Sequence, residues 1–307
     1  MIVNSVKSLL VLALFSTFFF MGCKDDVIID PEPTLPFDNL DEFFDTKAAQ
    51  KQTFSIDPTT TKTITGAKGT KLTFYANSFV DAQGNAITGT VDFEMKEIYA
   101  KGDMIWSNRM TMASNGQLLE SGGEFFLSAT SGGQEVFLNR DYKMEVPVSS
   151  ATSNPNAMDL FVANESDSTW TPADSTAWVG VDSSGGNYNV YFDSLTWINC
   201  DYFYNAAQTT QINVEPRITG VSMTDVSAYI VFDNINAVAN LWYDSSTNTF
   251  SISGMPVGQS ATIVIIGMDG TQLYLGTLST VLNNNTTLFV PMSPVTQAQL
   301  TTTIDNL

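Results

Sequence analysis

The chain has 307 residues, with 13 Lys and Arg against 32 Asp and Glu and a net charge of −19. A surface this acidic repels phosphate backbones, which argues against nucleic acid as a partner. There is no histidine, so Ser-His-Asp and Cys-His catalysis, the usual zinc ligand sets and histidine proton transfer are excluded as well.

The N-terminus carries one early cation, Lys7, then the apolar residues 9–15 and 18–20, and then Met21-Gly22-Cys23. This is the layout of a bacterial lipoprotein signal peptide, and the apolar core is too short and wrongly flanked for a membrane span. On this reading residues 1–22 are removed and Cys23 is lipidated, holding the protein to a membrane. Cys200 is then the one remaining thiol and no intramolecular disulfide can form. Residues 23–50 read as an acidic, Pro-rich tether, with a stiff extended spacer at 30–36 and a single helical turn at 40–44.

From Thr53 onward the pattern is β. Short runs of Val, Ile, Thr, Phe and Tyr (71–75, 91–99, 142–148, 188–192, 228–233, 261–267) alternate with Gly/Asn/Asp/Ser turns at 81–85, 131–133, 184–187 and 268–270. One late helix is expected, capped by Ser293 with Pro294 at its first position and Val295, Ala298 and Ile304 on its apolar face. The fold class is therefore all-β, with two or three antiparallel β-sandwich-like domains and a short C-terminal helix. Residues 149–156 read as a linker after a first sandwich at 51–150. A C-terminal sandwich-like domain occupies 215–307, and the Trp-rich stretch 151–214 is either an extension or a small domain.

Several segments carry a resemblance. Lys24-Asp25-Asp26, directly behind Cys23, resembles the surface-export signal of Bacteroidetes-type lipoproteins. Residues 66–72, 77–81, Gly84, 89–91, 96–99, 103–105, Thr111 and 118–123 together resemble a β-sandwich module recurrent in such surface lipoproteins and distantly similar to ZU5-like domains. Residues 195–203 look like the W-(I/V)-N-C-D-(R)-F segment that accompanies it, with Tyr202 in place of the basic residue. The resemblance spans about residues 50–205. It implies an outer-membrane, lipid-anchored location on the cell surface and no catalytic residues. Asp167-Ser168-Thr169, Asp174-Ser175-Thr176 and Asp193-Ser194-Leu195 match the O-glycosylation pattern of such bacteria, making Ser168, Ser175 and Ser194 candidate modification sites.

On a period-two strand Val91, Phe93, Met95, Glu97 and Tyr99 share one face, which puts Glu97 among apolar neighbours. A carboxylate buried there needs a partner or a raised pKa, with Arg109 on the next predicted strand as the partner candidate. Glu97 is then either a functional acid or a structural residue that reaches water at the strand end or makes a structural hydrogen bond. The run Glu120-Ser121-Gly122-Gly123-Glu124 reads as a β-bulge or tight turn rather than an anion nest, because two glutamates flank it. Asp81 with Asn85, Asp182 with Asn187 and Asn189, and Asp244 with Asn248 suit type I turns. Calcium is the one cofactor these loops leave open, and none has EF-hand spacing. Trp170 and Trp178, in polar surroundings, are the candidate ligand platform; core packing is the other reading of both.

Three functional readings follow. The first is a non-enzymatic binding module whose partner is a polysaccharide or another envelope protein. The second is a structural or accessory subunit of an envelope complex. The third is a glycan hydrolase working with carboxylates alone.

Overall fold

The computed structural model describes residues 37–148, 152–174, 176–182, 184–221, 225–270, 272–284 and 287–307. Cys23, Lys24, Asp25, Asp26 and Ser175 lie outside the described residues. The described residues belong to one compact unit, with two β lobes, three short α-helices and one 3-10 turn at Pro155–Ala157 among them.

The first helix, α1 (Leu40–Lys47), is eight residues long rather than a single turn. Asn39 caps it by accepting a hydrogen bond from the Glu42 N–H, and Asp41 and Glu42 sit where the helix dipole favours negative charge. Leu40, Phe43 and Phe44 are buried; both phenylalanines meet the Trp106 ring edge-on at 5.6 Å.

The first lobe is a sandwich. One sheet runs Gln52–Ile56, Val91–Ile98, Leu119–Ser131, Trp197–Phe203, Asp159–Ala163 and Thr171–Pro172, with Gln134–Glu135 folded back on the long strand. The other runs Trp178–Val181, Asn187–Phe192, Tyr142–Pro147, Lys71–Phe74 and Lys62–Thr65. Phe74, Phe93, Phe125, Leu127, Tyr142, Tyr188 and Ile198 from both sheets share one core. The stretch 151–203 supplies strands to both sheets, so it is part of this sandwich. The expected boundary at 149–156 therefore falls between strands of one lobe rather than between domains, and the second lobe begins at Thr209, ahead of the expected 215. The all-β class holds.

The second lobe is one eight-stranded sheet that curves until it nearly closes. Its order is Thr287–Pro291, Thr209–Arg217, Thr249–Pro256, Val238–Asp244, Val226–Phe232, Ser260–Asp269, Gln272–Val281 and Ser293–Val295. Residues 263–266 are all fully buried. A strand can hide both faces in this way only where each is covered. Here the inner face fills the barrel-like core and the outer face joins an apolar cluster shared with the first lobe and the helices.

Polar contacts stitch the seam between the lobes. The Asn236 side chain donates to the carbonyls of Tyr99 and Ser121, and the Thr111 N–H donates to the Val238 carbonyl. The second helix, α2 (Lys101–Trp106), lies at this seam against the third, α3 (Gln297–Asp305). The Trp106 indole N–H donates to Asp305 at 2.8 Å. The C-terminal helix is present but capped differently from expectation. Ser293, Pro294 and Val295 form the last strand, and Thr296 with Gln299 makes a reciprocal capping box. Leu300 and Ile304 are its buried residues.

Candidate functional site

Glu97 is buried on the apolar face, as its parity requires, but Arg109 is not its partner. The carboxylate instead accepts from the Lys68 N–H at 2.9 Å, the Thr70 N–H at 3.1 Å and the Gln52 side chain at 2.9 Å. It thereby clamps the 66–70 turn to the sheet, and at Gly66 a Cβ would collide with the Glu97 carboxylate held by these bonds. Arg109 donates to the backbone carbonyls of Asn164, Glu165 and Asp167 and lies 4.0 Å over the Trp197 ring. Both residues are structural.

The 120–124 run is a β-bulge. Between Glu124↔Asn199 and Ser121↔Asp201 the long strand spends one residue more than its neighbour, and Gly123 takes a φ of +145°. The bulge gathers three buried carboxyl groups. Glu120 accepts from the Ser153 hydroxyl at 2.8 Å and the Tyr202 hydroxyl at 2.6 Å; Tyr202, standing where a basic residue was expected, is thus its donor. Burial and that bond push the Tyr202 phenol up to about 12. Asp201 accepts from the Asn199 amide at 2.6 Å, and Asn199 in turn accepts from the Ser121 hydroxyl. Neither oxygen of Glu124 has a hydrogen-bond partner among the described residues. Burial first and the proximity of Asp201 second hold the Glu124 carboxyl well above the usual range, and burial does the same to Asp201. Both are completely enclosed, so this pair offers no face to a glycosidic bond. Cys200 beside them is a buried thiol whose pKa burial raises.

The Asp-rich loops spend their carboxylates on their own turns. Asp81 accepts from the N–H groups of Gln83 and Asn85, Asp182 from Ser184, Gly186 and Asn187, and Asp244 from Ser246. Side-chain hydrogen bonds within the turns, from Asn85, Asn187 and Ser246 respectively, hold all three below the ordinary carboxylate range. Among the described residues no cluster of three or more acids or thiols is placed to hold a metal.

The expected aromatic platform divides. Trp170 is corrected to a core residue, with its indole N–H donating to the Met110 carbonyl at 2.9 Å. Its polar neighbours in sequence point the other way, while a bridge to Ala113 turns the ring inward. Trp178 is 52% exposed on the edge strand, yet its ring lies across Gly180 and packs on Tyr191 at 5.7 Å, so one ring face is used within the sheet. Ser168 and Ser194 are both exposed.

A different tryptophan forms a concave site. On Val238–Asp244, Ala239 and Leu241 face inward, so Asn240 and Trp242 face outward. Trp242 is 58% exposed. It walls a depression of about 380 Å³ at the seam of the lobes, with Ser114, Thr169, Asn240, Ser251 and Ser253 supplying polar groups and Met112 and Ile252 apolar ones. Among the described residues none in this lining is charged. The side chains of Thr169, Asn240, Ser251 and Ser253 make no hydrogen bond among the described residues. A second depression of about 300 Å³ lies beyond Gly116, lined by Asn115, Gln117, Tyr204, Asn205 and Gly254 among others, again without a charged residue. A larger one near Arg217 is charged, and its Arg217 is engaged with Glu215 at 3.0 Å and stacked on Phe289.

The fold and the groove define an all-β, two-lobed protein with a neutral, aromatic-walled depression of ligand size where the lobes meet. No family model, no curated protein and no solved structure matches the chain.

Proposed function

We propose that this chain is a non-enzymatic binding protein, carried on the outer surface of a bacterial outer membrane by lipids on Cys23, with the Trp242 groove as its ligand site. The groove carries the reading. Ligand sites are concave and largely apolar, with a few free polar groups that fix orientation, and this one joins an exposed indole to unpaired hydroxyl and amide groups. The layout of residues 7–23 supports the anchor, and Lys24-Asp25-Asp26 directly behind Cys23 supports the outward-facing position.

The test screens the purified protein against a glycan array and against detergent-solubilised envelope proteins, side by side with Trp242→Ala. A ligand captured by the wild type and released by the variant supports the groove as the site. Equal capture by both would refute it. For the anchor, metabolic labelling with a radioactive fatty acid should mark the wild type and leave Cys23→Ala unmarked.

A further inference from the structure

Resting on the reading of the Trp242 groove as the ligand site, we infer that the ligand is a neutral linear oligosaccharide that crosses both seam depressions. The lining disfavours the other ligand classes. An anionic ligand would have to approach a chain of net charge −19 at a site that offers it no cation. A cationic ligand would find no carboxylate there to replace its lost hydration. A wholly apolar ligand would bury the Thr169, Asn240, Ser251 and Ser253 polar groups without partners, at a cost for each. A sugar ring meets the remaining demands: an apolar C–H face for the Trp242 indole and hydroxyls around its rim for the amide and hydroxyl groups.

The second depression extends the site along the strand Thr249–Pro256. Ser251, Ile252 and Ser253 line the first depression, Gly254 and Pro256 line the second, and Gly116 belongs to both. Between them the 114–117 turn rides over the strand at glycine positions. Gly116 and Gly254 both have φ of +82°, and a Cβ on Gly254 would approach the Gly116 carbonyl oxygen to 3.3 Å. The two glycines keep this saddle low, so one chain can pass from the Trp242 side to the Tyr204 and Asn205 side. Ser114, Asn115 and Asn205 are exposed there and supply further neutral polar groups.

The experiment is calorimetric titration of the full protein with length series of maltose, cellulose and β-1,4-mannan oligosaccharides, from one to six sugars. Oligogalacturonate and chitosan oligomers serve as anionic and cationic probes of matching length. One neutral series should bind, with affinity rising at least about tenfold between two and four sugars as the second depression fills. Trp242→Ala should lose binding at every length while keeping the wild-type melting temperature, because its side chain is largely exposed. Asn205→Ala should keep the binding of short oligomers and flatten the gain with length. Preference for a charged series that Trp242→Ala still abolishes would leave the groove as the ligand site and overturn the neutral-glycan inference. Neutral binding untouched by Trp242→Ala would overturn the groove reading and the inference with it. Affinity independent of length would overturn the two-depression arrangement, and failure of all probes to bind would overturn the inference.

Discussion

Replacing Glu124 by Gln should raise the stability of this protein at neutral pH and remove part of its pH dependence. Glu124 is fully enclosed, neither carboxyl oxygen has a partner among the described residues, and Asp201 lies close by. The folded protein therefore holds Glu124 protonated at pH values where the unfolded chain, with a carboxyl pKa of about 4.3, has released the proton. The folded state binds more protons in that window, so stability falls as pH rises, by about 1.4 kcal/mol per pH unit for each such group. The loss begins near the unfolded pKa and continues until the pH passes the raised folded value; below pH 4 the contribution is fully present. Asp201 adds a second proton to the same window. The lowered carboxylates Asp57, Asp81, Asp174, Asp182 and Asp244 titrate below their ordinary values, so their effect appears at more acidic pH and does not overlap. Urea unfolding followed by tryptophan fluorescence at pH 5, 6 and 7 measures the slope directly. The wild type should lose stability across this range, and Glu124→Gln should lose less, by about one proton's worth per pH unit. A wild-type stability that is flat or rising from pH 5 to 7, or a variant with the unaltered wild-type slope, would refute the protonated, buried Glu124.

Glu97→Gln should behave oppositely, costing about 1–3 kcal/mol, because this carboxylate accepts three hydrogen bonds and an amide nitrogen would face N–H donors; urea midpoints of the two variants at pH 7 should move in opposite directions. Gly102→Ala should destabilise by about 1–3 kcal/mol. Its Cβ would lie 2.5 Å from the Ile304 carbonyl oxygen in α3, and the melting temperature should drop by about 2–4 °C for each kcal/mol lost. Trp170→Ala should cost about 3–5 kcal/mol as a core deletion, whereas Trp178→Ala should stay within about 0.5 kcal/mol. Comparable losses in the two would contradict their assignment to core and surface.

What the sequence discloses here is what local periodicity controls. Glu97 lands on the buried face because alternation along Val91–Ile98 is a property of the strand itself, and the observed burial follows it. The bulge at 122–123 is legible for the same reason, since paired glycines inside a strand pattern leave few alternatives. The partner of Glu97 is not legible. Two of its donors belong to a turn some thirty residues earlier and the third, Gln52, to a strand forty-five residues earlier, while Arg109 is drawn off by three carbonyls of a loop about fifty-five residues later. Trp170 misleads because flanking hydroxyl residues describe the neighbours' surroundings, while a single bridge to Ala113 sets the ring's own direction.

The bulge that holds the buried acids and the groove both lie along the seam where the second lobe meets the first. By alternation Glu124 shares the face of Phe126, opposite the sandwich core that takes Phe125 and Leu127. In an isolated sandwich that face meets water and an acid is ordinary there. Here Ser121 of the bulge exchanges hydrogen bonds with Asn236 of the second lobe, and at the margin of the same seam residues 112–117, Thr169, Asn240, Trp242 and the strand Thr249–Pro256 converge. Trp242 could have been found by parity, since it falls with Asn240 on the face away from Ala239 and Leu241. That places an indole on a lobe's outer surface and nothing more. The residues that make it one wall of a groove come from distant segments, so the site exists only once the two lobes are joined. Protonation of Glu124 and ligand capture at Trp242 should therefore both depend on that docked arrangement, and Gly102→Ala, which disturbs α2 and α3 at the seam, separates them from local effects. If docking is the shared cause, this variant should weaken the ligand and lower the pH dependence together. A variant that loses stability yet keeps both would place the groove and the buried acid within the individual lobes.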